Sequence, residues 1–187
     1  MGAAAPAPGR AATVVGEPPV NYKPDTPGGD RPDPRGIIFT AQPGEANDLR
    51  LDRSGDDFVF RDRGAVLTAS GFGCRQAGRH SVRCRATNFG PEDAEQVRVR
   101  THAGNDRVVV ASGVGTIAYT SVFTGTGQDR VRLSAFGEVY SGRGNDRVEL
   151  RGTGEMEADC GSGRDVYIGE RGLSRRCERK IFRRSLR

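Results

Sequence analysis

Asp106, Asp129, Asp146 and Asp165 each close a short glycine-bearing loop: AGND at 103–106, GTGQD at 125–129, GRGND at 142–146 and GSGRD at 161–165. Carboxylates are hard oxygen ligands, and glycine lets a backbone turn sharply enough to aim carbonyl oxygens. A hard divalent cation collects roughly six to eight such oxygens. If the loops are brought together, the four aspartates with Asn105 and Asn145 are the candidate ligands. Gly104, Gly125, Gly127, Gly142, Gly144, Gly161 and Gly163 would shape the loops around them.

The segments between the loops say how they are positioned. A hydrophobic strand follows every aspartate, three times as Asp-Arg-Val (106–108, 129–131, 146–148) and once as Asp165-Val166-Tyr167-Ile168. A loop–strand unit at near-constant spacing marks a solenoid. Weaker loops, SGVG at 112–115, AFGE at 135–138 and GTGE at 152–155, fall between, so glycines recur about every ten residues. With one loop and one strand per half-coil, the aspartate loops stack along one edge and the weak loops along the other. The first interval, 23 residues, is then long by a bulge placed near 118–123. Val97 and Val99 alternate with Arg98 and Arg100, valine inward and arginine outward; Val131 with Leu133, and Val148 with Leu150, continue the inward face.

Composition fits thin aliphatic layers better than a thick aromatic core: 27 glycines in 187 residues, no tryptophan and 6% aromatics. Net charge is +5, but residues 171–187 hold eight basic residues against Glu178, so the basicity belongs to the tail. Its plain reading is a terminal cap in which Ile181, Phe182 and Leu186 cover the last coil. Its other reading is an electrostatic patch for anionic polymers. No apolar run approaches a membrane span. Met1 to Val20 lacks the charged start and apolar core of a signal peptide, so secretion would rest on a segment removed or lying upstream.

Residues 1–35 hold eight of the ten prolines and read as a disordered leader. Residues 36–86 read as a small β region of short strands and tight turns, residues 87–170 as the repeats, and 171–187 as the basic cap or tail. Cys74 with Cys84, and Cys160 with Cys177, lack zinc spacing. Two disulfides closing short loops fit them, implying an oxidising compartment; the alternative is four buried thiols in a reducing one.

The loops resemble the nonapeptide G-G-x-G-x-D-x-U-x of RTX, or haemolysin-type calcium-binding, repeats. The flanks PGEAND at 43–48, LTASGFGC at 67–74, SVRCRA at 81–86 and ADCGSGRD at 158–165 with RRCER at 175–179 resemble secreted bacterial proteins carrying them. The resemblance implies a parallel β-roll with calcium between loops one coil apart, held by carbonyls and aspartates. Asp129, Asp146 and Asp165 fall on the family's aspartate; the glycines at 125, 142 and 161, and at 127, 144 and 163, fall on its second and fourth positions. Asp106 and Gly104 match too, with His102 at the second-glycine place. Thr101, Thr124, Ser141 and Cys160 replace the first glycine, and Arg107, Arg130 and Arg147 stand where they could pair with the carboxylates. At most three sites follow: 106/129, 129/146 and 146/165.

Other chemistries find little. No glycine loop leads into the Lys-Ser/Thr of a P-loop, so no nucleotide is expected. His80 and His102 read as exposed turn residues, and Glu155, Glu157 and Asp159 as one solvated strand face. The expectation is therefore an all-β secreted protein: a small β domain leading into a short right-handed parallel β-roll, a calcium-binding module and not an enzyme, folding as it binds the ion. The alternative is a metal-independent adhesion module acting through its basic tail.

Overall fold

The computed structural model describes residues 11–17, 36–71, 73–85, 95–116, 118–152 and 155–182. They are almost wholly β. In chain order the strands are β1 (Ala12–Gly16), β2 (Ile37–Thr40), β3 (Asp48–Ser54), β4 (Asp57–Asp62), β5 (Leu67–Gly71), β6 (Cys74–Gly78), β7 (Ser81–Arg85), β8 (Glu95–Arg100) and β9 (Arg107–Val110). There follow β10 (Ala118–Phe123), β11 (Arg130–Leu133), β12 (Gly137–Tyr140), β13 (Arg147–Leu150), β14 (Met156–Asp159), β15 (Val166–Gly169), β16 (Ser174–Arg175) and β17 (Arg179–Phe182).

They form an eight-stranded sheet, ordered β16-β14-β12-β10-β8-β2-β1-β5, and a nine-stranded sheet, ordered β17-β15-β13-β11-β9-β3-β4-β7-β6. From β8 onward the chain alternates between them. Each strand pairs in parallel with the strand two places on, so one circuit of chain separates neighbours. The period-2 pattern explains the layering: Val97, Val99, Val108, Val110, Val122, Val131, Leu133, Val139, Val148 and Leu150 are buried, with polar residues mostly between.

Residues from Ile37 on join the same sheets, because β2 pairs with β8 and β3 with β9. Beyond them β4, β7 and β6 run antiparallel at one end. One hydrophobic cluster reaches from Ala12 to Cys177. Both disulfides form, Cys74–Cys84 and Cys160–Cys177.

Three expectations are corrected. A wholly disordered leader does not hold at Ala12–Gly16, where β1 lies between β2 and β5 with Ala12 and Val14 fully buried. The remaining leader residues, 1–10 and 18–35, lie outside the described residues. The bulge placed at 118–123 is instead regular strand β10, in register with β8 over six positions. The extra length sits just before it, in a turn containing the 3₁₀ segment Val114–Thr116, where Val114 fills the core. The tail does not cover the last coil either. It adds β16 and β17 as further parallel strands, leaving Ile181 39% and Phe182 41% exposed. Ile181 aligns with Ile168, in the column of Arg132 and Glu149 on the sheet's outer face. Leu186 lies outside the described residues.

Leu133 is fully buried between the sheets. Leu133→Ala should lower unfolding free energy by about 2–5 kcal/mol in urea titration. Phe136→Ala, at a site 40% exposed, should stay within about 0.5 kcal/mol.

Candidate functional site

The four aspartate loops all lie on one margin, each leading from a strand of the eight-stranded sheet into the next strand of the nine-stranded one. Parallel bridges Ala103–Thr126, Thr126–Arg143 and Arg143–Ser162 hold them in register. The amides of Thr126, Arg143 and Ser162 donate to the carbonyls of His102, Gly125 and Gly142. Those of Gly104, Gly127 and Gly144 donate to Thr126, Arg143 and Ser162.

The glycines are required by that close stacking. A Cβ on Gly144 would lie 1.6 Å from the carbonyl oxygen of Gly127, and one on Gly163 1.5 Å from that of Gly144. Gly127, Gly144 and Gly163 also sit at φ near +148°, +145° and +149°. Carbonyls expected to aim inward at an ion thus run along the stack, toward the next loop. Gly125, Gly142, Gly161 and Gly104 lie equally close to the neighbouring loop.

The aspartates are buried, at 1–2% exposure, and linked in a ladder. Asp129 Oδ1 accepts the Asp106 amide at 2.9 Å, Asp146 Oδ1 that of Asp129 at 2.9 Å, and Asp165 Oδ1 that of Asp146 at 2.8 Å. Asp106 Oδ1 accepts the Asn47 amide, and Glu178 Oε2 that of Asp165, each at 2.8 Å. The ladder therefore has six rungs, Asn47 and Glu178 being end members that the repeat pattern does not reveal. The second oxygen, Oδ2, of all four aspartates is buried with no hydrogen-bond partner. Such orphans are rare and point to something that completes them.

Beside the ladder runs a column of buried hydroxyls at the place of the motif's first glycine. Thr101 Oγ1 donates to the Thr124 carbonyl at 3.2 Å, Thr124 Oγ1 to Ser141 at 2.9 Å and Ser141 Oγ to Cys160 at 2.8 Å. Asn105 and Asn145 also bridge loops, Oδ1 accepting the amides of Gln128 at 2.8 Å and Arg164 at 2.9 Å.

Burial raises all four aspartate pKa values, Asp106 and Asp146 to about 6. The amides and hydroxyls oppose the rise, and neighbouring carboxylates add to it. Arg107, Arg130 and Arg147 do not relieve it: they are exposed on the outer face, and among the described residues no ion pair reaches the four aspartates. No group of three or more His, Cys, Asp or Glu fit for a metal occurs among those residues. His102 is exposed, with φ +67° in its turn, and His80 Nδ1 lies 2.7 Å from the Ala65 carbonyl. Glu157 pairs with Arg175, and Asp159 with Arg176.

Two predictions follow from this geometry. Gly144→Ala should cost several kcal/mol, whereas Gly172→Ala, with φ +85° but open space, should cost about 1–2 kcal/mol by thermal unfolding. In chelator, stability should also depend on pH with an unusual sign. Asp106 and Asp146 hold protons to about pH 6 when folded but only to about pH 4 when unfolded. The folded state binds more protons in that window, so stability is greatest near its lower end and falls as pH rises through about 6, on the order of 1–3 kcal/mol for each carboxyl. Asp57, bonded by Arg75, and Asp159, bonded by Arg176, have lowered values and lose their contribution only below about pH 4. Urea midpoints at pH 5 and 7.5 check the direction.

Compared with protein-family models, curated proteins and solved structures, this chain matches none.

Proposed function

We propose that residues 95–182 form a short right-handed parallel β-roll of a secreted protein, and that its aspartate margin binds calcium. The observation carrying this reading is the row of four buried, unpartnered Oδ2 atoms in register along one margin. A buried carboxylate without a counter-charge is costly, and a cation placed among several removes that cost at once. Oxygen-only donors suit a hard ion such as calcium. The alternation of strands between two sheets supports the roll, and the two disulfides support an oxidising, extracellular setting.

Adjacent pairs, Asp106 with Asp129, Asp129 with Asp146 and Asp146 with Asp165, would each share an ion through Oδ2, with water completing its shell. Asn105 and Asn145 then keep the loops in step rather than ligate. Bound calcium supplies positive charge and contributes folding energy, because the stack exists only in the folded chain. The ladder presets the site: each Oδ1 is fixed by an amide, and the carboxylate is already oriented. Arg175 and Arg176 are engaged by Glu157 and Asp159, which favours the calcium reading over adhesion through the tail.

Calorimetric titration of the full chain should show calcium binding, and thermal midpoints in millimolar calcium and in chelator should differ by several degrees. Asp129→Asn with Asp146→Asn keeps the Oδ1 acceptors of the Asp106 and Asp129 amides. The double variant should therefore fold in chelator at least as stably as the parent, yet lose most of the calcium-dependent shift. A shift of full size in that variant would sink the reading. Because ligands must be deprotonated, calcium should stabilise more at pH 7.5 than at pH 5.

A further inference from the structure

The outer face of the nine-stranded sheet carries a second alignment. Arg107, Arg130 and Arg147 share one register position on β9, β11 and β13, and all three are exposed. Neighbouring strands lie about 4.8 Å apart, so three guanidinium groups stand side by side, an arrangement of like charges that destabilises a sheet. Elsewhere this face neutralises its arginines. Arg132 and Arg151 both reach Glu149 at 2.9 Å, and Arg50 and Arg61 both reach Asp52. Arg107, at the head of the column, meets Asp48 at 2.9 Å. Arg130 and Arg147 have no acidic partner among the described residues. The column lines an open depression of about 100 Å³, whose wall includes Val109, Arg132 and Glu149.

We propose that this column binds a linear acidic polysaccharide, whose sulfate or carboxylate groups lie along Arg107, Arg130 and Arg147. A guanidinium presents a planar fork to an oxyanion, and a row of forks at strand spacing suits charges repeated along a chain. Bound oxyanions would relieve the repulsion between the arginines. Single-stranded nucleic acid is the less suitable polyanion, because its bases stack on aromatic rings and none lines the depression. The disulfides are compatible with the proposed extracellular setting, where acidic glycans are accessible partners. The surface lies on the sheet's outer face, away from the buried aspartate carboxylates, and needs no calcium; its register line continues through Val166 to Arg179 of β17.

Heparin titration into the full chain, in chelator and at about 0.15 M salt, tests the assignment. Arg130→Gln with Arg147→Gln should weaken binding about tenfold or more. Arg79→Gln with Arg85→Gln removes the same charge from exposed sites at the far end and should change it less than about twofold. Undiminished binding by the first pair, or equal loss in both, would overturn the proposal. Should the glutamine pair fail to fold, Arg130→Lys with Arg147→Lys keeps charge but loses the fork; its binding should still fall, and full-strength binding would count against the proposal. Single-stranded DNA displacing heparin at equal charge would overturn the polysaccharide assignment.

Discussion

Each aspartate of the repeats accepts, through one carboxylate oxygen, the backbone amide of the ladder residue before it, Asn47 for Asp106 and the preceding aspartate for the other three. This hydrogen bond is short, buried and charge-assisted when the group is ionised, and it recurs from Asn47 to Glu178. It sets the height at which each loop meets the next. The bridges at Thr126 and Arg143 depend on that height, as does the alignment of strands on either side.

The arrangement has a cost that shapes everything near it. Aligning the loops this closely leaves no room for a Cβ, hence Gly127, Gly144 and Gly163. Aligning the carboxylates buries four like groups in a row, hence their raised pKa values. The hydroxyls of Thr101, Thr124 and Ser141 donate to the next loop and, lying beside the carboxylates, oppose part of the rise. What they leave is one unpartnered oxygen per aspartate. A proton can complete it, and in the proposed reading calcium would compete for the same atom, so that ionic conditions and pH would act on a single structural element.

Much of this was legible in the chain because it rests on local period. Asp-Arg-Val at 106–108, 129–131 and 146–148 announces both the loop and the inward valine, and equal phase places the loops on one margin. The cysteine pairs were legible from spacing. What escaped depends on distant partners. ATVVG at 12–16 has a strand's alternation, but proline-rich surroundings mask it, and its partners β2 and β5 lie far along the chain. Asn47 and Glu178 occupy rungs of the ladder without resembling its aspartates, so only geometry identifies them. Thr101, Thr124 and Ser141 look like defects in a glycine motif until their hydroxyls are seen stacked. The extra residues before β10 were misplaced because Ala118–Phe123 is itself a good strand, and the slack belongs to Gly113 and Gly115 ahead of it.

The two disulfides occupy unequal places in this architecture. Cys74–Cys84 joins adjacent strands within one hairpin at the N-terminal end of the stack, while Cys160–Cys177 ties two successive circuits at the other end. The outermost strand of a sheet has one hydrogen-bonded neighbour, so opening starts at such edges and travels inward. The Cys160–Cys177 bond limits that route only as far as Cys177: β16 stays tethered beside β14, while β17, with Ile181 and Phe182, follows the tether and can open first. Reduction would free β16 to peel as well, without disturbing a single rung of the carboxylate ladder directly.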